Sequence, residues 1–267
     1  MIKLIVSDMD GTLLNTNHEF PKDFMRLFKA LQQREITFCV ASGRQYTSLL
    51  QFFAPIKEQM SFIAQNGTLL MRNDKVLYEN TLSVYHLQRI LSVVKPSSQV
   101  AVGLYSRAHT YLFPTTPYAE SQVRIYNTSV IKVSDLSEVP EPISQVSLYD
   151  PINARTNTLP TLSALAQEGL TITLSGTHWI DITNAGANKG EALVALQKAL
   201  EITPEQTMVF GDHLNDIQMM RQASFSYAMK NAEEEVKAVA NYITEKDNNE
   251  NGVLKTIDEK LNLNLFS

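Results

Sequence analysis

Short apolar runs of strand length alternate with amphipathic helical segments at both ends of the chain. Residues 2–6 and 36–41 are short, mostly apolar runs, and between them residues 21–35 carry apolar side chains at helical spacing. The same alternation returns after residue 188, where a helical segment precedes the apolar run 207–210. Strands that alternate with helices predict a parallel sheet, whose sites lie at the carboxyl ends of its strands.

The middle of the chain reads differently from its ends. Residues 82–184 contain helical stretches, strand-like segments and a group of prolines between positions 114 and 142. A stretch of about 100 residues is a normal domain size. We therefore predict an α/β fold with a parallel-sheet core, residues 1–81 and 185–267, and an inserted smaller α/β domain, residues 82–184. Turn signals at Asn66-Gly67 and Asn73-Asp74 predict hairpin-like strands that continue the core sheet over residues 61–79.

Four short motifs follow predicted strands or begin predicted helices. An Asp-rich turn alone is often a solvated loop, and Gly-Asp before a helix is usually a helix cap. Their joint occurrence at strand ends and helix starts instead predicts one shared site. Carboxylates that meet there repel one another, and a hard cation that prefers oxygen ligands, above all Mg²⁺, would neutralise them. The motifs are Asp8-Met9-Asp10-Gly11-Thr12, Ser42-Gly43-Arg44, Lys189-Gly190 and Gly211-Asp212-His213-Leu214-Asn215-Asp216.

The first motif carries two carboxylates that suit phosphoryl transfer. Asp8 is the predicted nucleophile, because attack by its carboxylate on phosphorus splits one difficult displacement into two through an aspartyl phosphate. Asp10, two residues further on, would protonate the leaving alkoxide and then deprotonate the attacking water. The pair predicts a phosphatase that uses one carboxylate as acid and base in turn.

The other motifs supply hydrogen bonds and charge. The Ser42 hydroxyl and the Gly43 amide would donate to phosphoryl oxygens, and Lys189 at a helix start would add fixed positive charge. Asp212 would complete the metal ligands. The side chains expected to orient the ligands or the phosphate are Asn215 and Asp216.

These motifs resemble those of the haloacid dehalogenase superfamily, and the match spans the whole chain. Residues 65–67 and 229–232 are similar to segments of its Cof-type phosphatases, subfamily IIB. The resemblance implies a Rossmann-like core with a type C2 α/β cap inserted between the second and third motifs. It also implies that Asp8, the Asp10 carbonyl and Asp212 hold magnesium. The phosphate contacts that it implies are Met9, Ser42, Gly43, Lys189 and Asn215.

Residues outside the core motifs are weaker candidates. His178 and Trp179 precede the return to the core and are candidates for contact with the leaving group, although aromatic residues in a small α/β domain more often pack in its core. His213 lies inside the fourth motif, but imidazole suits softer metals than magnesium.

Composition limits the partners. The net charge is −5 and the basic residues are scattered, so we do not expect nucleic acid to bind. No apolar stretch approaches the roughly 20 residues of a membrane helix, and no signal-peptide pattern is present. The single cysteine, Cys39, fits a reducing compartment. We expect a cytoplasmic enzyme that acts on a small phosphate ester, with its oligomeric state left open.

Three other functions share parts of this pattern. A response-regulator receiver domain also has an acidic cluster with a phospho-accepting aspartate, but in a shorter chain without an insertion. A phosphate-binding regulatory protein on the same fold would not turn over, and a phosphosugar mutase would return the phosphate to the sugar. The presence of Asp10 after the nucleophile favours phosphoryl transfer over dehalogenation.

Overall fold

The computed structural model describes residues 1–94, 99–127 and 129–266. The strands are β1 Leu4–Ser7, β2 Thr37–Ala41, β3 Ser61–Ala64, β4 Leu69–Arg72, β5 Lys75–Glu79, β6 Ala101–Tyr105, β7 Thr110–Leu112, β8 Val130–Lys132, β9 Gln145–Tyr149, β10 Leu170–Leu174, β11 Trp179–Asn184, β12 Thr207–Gly211, β13 Phe225–Ala228 and β14 Tyr242–Ile243. The helices are α1 Phe24–Gln33, α2 Tyr46–Phe52, α3 Val84–Val94, α4 Pro117–Tyr126, α5 Lys189–Leu200, α6 Ile217–Met220, α7 Glu234–Val239 and α8 Gly252–Leu261.

Eight of the described strands form one sheet in the order β14-β13-β12-β1-β2-β3-β4-β5. The strands from β14 to β3 pair in parallel, and β4 pairs antiparallel with β3. The strand order reverses at β1, because β2 lies on one side of it and β12 on the other. Asp8, Ser42 and Asp212 directly follow β1, β2 and β12. Because ligands bind at such a reversal, beyond the carboxyl ends of the strands, the predicted site residues occupy the expected position.

Local sequence explains the elements that position the site. All residues of β1 and β12 are buried, which is why these strands read as continuous rather than alternating apolar runs. Helix α1 buries its Phe24, Leu27, Phe28 and Leu31 stripe. Helix α5 begins where the Asn188 side chain accepts a hydrogen bond from the Glu191 amide at 3.0 Å, a helix cap that sets Lys189 in the first turn.

The expected hairpin-like region is confirmed by β3, β4 and β5. Asn73 and Asp74 join β4 to β5, with φ angles of 50° and 57°. A two-residue hairpin turn with positive φ at both positions is the arrangement that Asn and Asp favour. The turn signal in the sequence therefore predicted this connection.

A second sheet has the order β10-β11-β9-β6-β7-β8 among the described strands and is mostly antiparallel. Side chains along its strands point alternately to the two faces of the sheet. Leu104, Leu148 and Ile182 join an apolar core, whereas Ser147 and Asp181 point to the opposite face. The presence of both a parallel sheet and a second α/β assembly confirms the predicted fold class, a Rossmann-like core with a smaller α/β domain.

The chain forms two compact units, one made of Met1–Ser42, Ile56–Tyr78 and Asn188–Ser267, the other of Gly43–Pro55 and Glu79–Ala187. The domain boundaries drawn from sequence at residues 81/82 and 184/185 stay predictions. Across the described ranges, every helix is too short or too polar to cross a bilayer.

Candidate active site

A buried network of one ammonium and two carboxylates lies at the ends of β1 and β12. Lys189 Nζ donates to Asp8 Oδ1 at 2.5 Å and to Asp216 Oδ1 at 2.7 Å. Lys189 and Asp216 are fully buried, and Asp8 is 7% exposed. Charges at this depth are stable only when they are paired and hydrogen-bonded, so the three residues depend on one another.

Asp216 also shapes the turn that follows β12. Its Oδ2 accepts hydrogen bonds from the backbone amides of Asp212 at 3.0 Å and His213 at 3.1 Å. Its other oxygen accepts from Lys189. Because both oxygens are engaged by the protein, Asp216 is suited to orient Lys189 and Asp212.

Asp212 is held by the first motif. Thr12 Oγ1 donates to Asp212 Oδ1 at 2.7 Å. Gly11 has a φ of 81°, and a Cβ atom at this position would lie 2.3 Å from Asp212 Oδ2. Asn231 Nδ2 donates to the Gly11 carbonyl at 2.8 Å, a further hydrogen bond that holds the turn. Glycine is needed here both for the left-handed backbone and for the close approach of the carboxylate.

The electrostatics of the site favour added positive charge. Burial raises the pKa of Asp8 well above its ordinary value; Lys189 opposes this shift, and the charges of Asp216 and Asp212 add to it. Burial, followed by the charge of Asp216, raises the pKa of Asp212 to about 7. Burial lowers the pKa of Lys189, but its two carboxylate partners more than reverse this effect, so the pKa is raised overall. Lys189 is therefore charged at neutral pH.

The carboxylates of this site have the chemistry of a cation site. Asp8, Asp212 and Asp216 each offer an oxygen, and within the described ranges these oxygens lie within 4.8 Å of one another. If all three carboxylates were ionised, they would carry two more negative charges than the single ammonium of Lys189 offsets. Hard carboxylate oxygens at this spacing fit Mg²⁺. Because Asp216 is engaged by Lys189 and two amides, Asp8 and Asp212 are the better ligand candidates.

The ends of β2 and β3 connect Ser42 to Asn215. The Ser42 amide donates to the Ile63 carbonyl at 2.9 Å, and the Ser42 carbonyl accepts from the Asn66 amide at 3.1 Å. The Asn66 side-chain oxygen in turn accepts from Asn215 Nδ2 at 3.0 Å. This chain of contacts orients the Asn215 side chain. The sequence marked Asn66-Gly67 as a turn but did not predict this contact.

Asn66 occupies an unfavourable backbone region. Gln65 and Asn66 have φ angles of 51° and 54°, and Gly67 follows at 91°. A Cβ atom on Gly67 would lie 2.2 Å from the Asn188 carbonyl, directly before α5. Non-glycine residues in this region persist only where the surroundings enforce it, and such positions cluster at functional sites.

Asp10 contacts a residue that the sequence did not single out. His18 Nδ1 lies 2.9 Å from Asp10 Oδ1. His18 stands eight positions later in a polar loop, without a motif or a periodic pattern that would have indicated this contact. The sequence also did not predict the hydrogen bond from Thr12 to Asp212, although Thr12 lies inside the first motif.

Two predicted phosphate contacts, Met9 and Gly43, each directly follow another predicted site residue. Met9 is fully buried. Gly43 directly follows Ser42 and groups with the second compact unit. Their roles stay predictions.

His178 and Trp179 both lie in the second unit. The Trp179 ring packs at 5.6 Å from Tyr126 and 5.1 Å from Tyr149, measured between ring centroids. His178 Nδ1 lies 2.9 Å from the Asp150 carbonyl oxygen. Their contact with a leaving group stays a prediction.

The chain is similar in sequence to known phosphatases. A profile of the haloacid dehalogenase-like hydrolase family matches residues 5–257. The 5-amino-6-(5-phospho-D-ribitylamino)uracil phosphatase YbjI of Escherichia coli strain K12 is 30% identical over 97% of this chain and 96% of its own. YcsE of Bacillus subtilis strain 168, which carries the same enzyme name, is 29% identical over 96% of this chain and 94% of its own.

A solved structure agrees with these relatives. SMU.1108c from Streptococcus mutans UA159 is 32% identical, with a TM-score of 0.88 over 98% of this chain and 100% of that chain. The subclass IIB sugar phosphatase BT4131 shares the fold, with a TM-score of 0.83 at 20% identity over 97% of this chain and 98% of its own. The chain therefore belongs to the haloacid dehalogenase-like hydrolases, and it has the fold of their subclass IIB.

Proposed function

We propose that this protein is a magnesium-dependent phosphatase that hydrolyses a small-molecule phosphomonoester through an aspartyl phosphate at Asp8. The observation that carries the proposal is the buried network in which Lys189 bridges Asp8 and Asp216 beside Asp212. The ammonium keeps a carboxylate in a buried position, and the remaining negative charge suits a cation and the phosphate that it would attract.

In the first half-reaction, a carboxylate oxygen of Asp8 bonds to phosphorus while the ester P–O bond breaks. Asp10 gives its proton to the departing alkoxide, which leaves as an alcohol. Lys189 and the Ser42 hydroxyl stabilise the negative charge of the phosphoryl oxygens. Magnesium, held by Asp8, the Asp10 carbonyl and Asp212, would supply positive charge that lets the anionic ester approach the carboxylates.

In the second half-reaction, the Asp10 carboxylate takes a proton from water as the water oxygen bonds to phosphorus. The bond between phosphorus and the Asp8 oxygen breaks, and inorganic phosphate leaves. Asp8 returns as a carboxylate and Asp10 has regained its proton. Asn215, oriented by Asn66, is proposed to hold the phosphoryl group in both steps.

The relatives YbjI and YcsE suggest the first ester to test. Both are named as phosphatases of 5-amino-6-(5-phospho-D-ribitylamino)uracil, a phosphorylated polyol on a pyrimidine ring. We include sugar phosphates and cofactor phosphates as the other candidate classes.

The free, buried thiol of Cys39 supports a reducing, cytoplasmic location for the enzyme.

The test is phosphate release from a panel of these esters, with magnesium and with excess chelator. Turnover that requires magnesium would support the proposal, and the ranking of esters would name the substrate class. Turnover that survives chelation would contradict the role of the metal. A stable phosphorylated Asp8 without phosphate release would instead indicate a regulatory protein, and transfer back to a sugar would indicate a mutase.

A further inference from the structure

The loop between the first motif and α1 brings an imidazole to the proposed acid-base residue. His18 Nδ1 lies 2.9 Å from Asp10 Oδ1, within the same compact unit. The side chains are 54% and 36% exposed. Pairs with this exposure contribute little to folding stability. The contact is therefore better explained by what it does to Asp10.

The loop holds His18 in one place. Asn15 Oδ1 accepts hydrogen bonds from the amides of Asn17 and Glu19, both at 2.9 Å. The His18 amide donates to the Asn15 carbonyl at 2.9 Å, and His18 itself has a φ of 60°. The left-handed region is uncommon for residues other than glycine, although histidine enters it more readily than most. These bonds constrain the backbone that carries the imidazole.

A distant part of the chain anchors the same loop. The amide and the hydroxyl of Thr16 both donate to Asn249 Oδ1, at 3.1 Å and 3.0 Å. Asn249 lies 233 positions away. The loop is therefore tied to the body of the unit rather than only to its own residues.

We propose that His18 is a positioning residue, whose imidazole holds the Asp10 carboxyl in the orientation that passes a proton to the leaving group. The inference rests on the proposed phosphatase function. A carboxyl group on a partly exposed turn can rotate about its Cβ–Cγ bond, and a hydrogen bond to one oxygen restricts that rotation. Proton transfer depends on this orientation, because donor and acceptor must lie within hydrogen-bond reach of each other.

Esters differ in their need for this proton. An alkyl phosphate expels a strongly basic alkoxide that must be protonated, whereas p-nitrophenyl phosphate expels a stabilised phenolate that leaves without a proton. The ratio kcat/KM reports the steps up to phosphoryl transfer to Asp8. A misoriented Asp10 should therefore lower kcat/KM for the alkyl ester and spare the aryl ester.

The experiment compares His18→Ala with the wild type on ribose 5-phosphate and p-nitrophenyl phosphate at saturating magnesium. We expect kcat/KM to fall about 10-fold for ribose 5-phosphate and less than about 2-fold for p-nitrophenyl phosphate, as partial loss of general-acid catalysis predicts. His18→Asn places an amide nitrogen near the Nδ1 position and tolerates the left-handed backbone, so it should restore most of the loss. Asn17→Ala, an exposed neighbour in the same loop, is the matched control and should match the wild type.

A double-mutant cycle separates positioning from a general structural effect. In an Asp10→Asn background the acid is already absent, so adding His18→Ala should change kcat/KM for ribose 5-phosphate by less than about 2-fold. If His18→Ala does not fold, His18→Gly, which accepts a positive φ without strain, takes its place.

Three results would overturn the proposal. These are an unchanged kcat/KM for ribose 5-phosphate in folded His18→Ala, an equal loss on both esters, and a loss that persists in the Asp10→Asn background. Each of them leaves the proposed phosphatase function standing. Absence of turnover by the wild type on every ester would overturn that function, and the role of His18 with it.

Discussion

Asp8, the proposed nucleophile, is a buried carboxylate. It is 7% exposed, and the ammonium of Lys189 at 2.5 Å is the charge that offsets its desolvation. A carboxylate held among protein groups rather than water needs less rearrangement to attack phosphorus than a solvated one. The same pairing makes the folded state depend on Lys189.

Asp8→Asn should abolish turnover and keep the fold. The amide has nearly the shape of the carboxylate but is not a nucleophile towards phosphorus. We expect the loss to exceed about 10³-fold, as for other essential nucleophiles, with an unchanged circular dichroism spectrum. Retained turnover in the purified variant would contradict the aspartyl-phosphate mechanism.

Lys189→Met should destabilise the protein by roughly 3–5 kcal/mol at neutral pH, because it leaves Asp8 and Asp216 buried without their cation. Urea unfolding measures the change. The exposed Lys198 on the same helix is the matched control, and Lys198→Met should change the free energy of unfolding by less than about 0.5 kcal/mol.

The loss in Lys189→Met should depend on pH. Burial already raises the pKa of Asp8, and removal of the ammonium raises it further. A carboxyl whose folded pKa lies above its unfolded value loses its stabilising contribution as pH rises through the folded pKa. The variant should therefore approach the stability of the wild type as pH falls. A deficit that stays constant with pH would show that lost packing, not charge, is responsible.

At the scale of elements, the turn after β3 shows how neighbouring segments determine a local conformation. Gln65 and Asn66 enter the left-handed region, and Gly67 passes close to the residue that begins α5. The turn delivers Asn66 to Asn215. The dipeptide Asn66-Gly67 indicated a turn, but the approach of α5 that enforces its shape depends on residues more than 100 positions away.

Gly67→Ala should be markedly more destabilising than a glycine replacement that adds strain alone. Gly176 has a φ of 105°, and the space that a Cβ atom would occupy there is open. Gly176→Ala should therefore lower the free energy of unfolding by only roughly 1–2 kcal/mol, the cost of a left-handed backbone at alanine. Gly67→Ala adds a clash with the Asn188 carbonyl and should lower the free energy of unfolding by at least about 2 kcal/mol more than Gly176→Ala does. Denaturant unfolding of both variants gives the comparison, and equal losses would show that the Asn188 contact relaxes freely.

At the scale of the molecule, each compact unit has its own apolar interior. The core of the second unit includes Leu104 and Ile182, both fully buried. The only tryptophan of the chain, Trp179, also lies in this unit and packs against Tyr126 and Tyr149. Its fluorescence therefore reports unfolding of the second unit.

Leu104→Ala should lower the midpoint of the Trp179 fluorescence transition in urea. The free energy of unfolding should fall by about 2–5 kcal/mol, because apolar burial is lost and a cavity remains. Ile152→Ala, 63% exposed in the same unit, is the control and should shift the free energy by less than about 0.5 kcal/mol. If both variants unfold like the wild type, the core assigned to the second unit is wrong.

Local sequence patterns were enough to predict β1, α1, β2, the strands between residues 61 and 79, α5 and β12, and the placement of Asp8, Ser42 and Asp212 after β1, β2 and β12. Hydrophobic period, caps and turn residues are local properties, and parallel strands bring their carboxyl ends to one edge. The particular hydrogen bonds between side chains at that edge emerged only from the folded chain. Lys189 reaches Asp8 across 181 positions, Asn215 reaches Asn66 across 149, and His18 turns back to Asp10. Such contacts depend on how loops and helix starts pack in three dimensions, which no local pattern specifies.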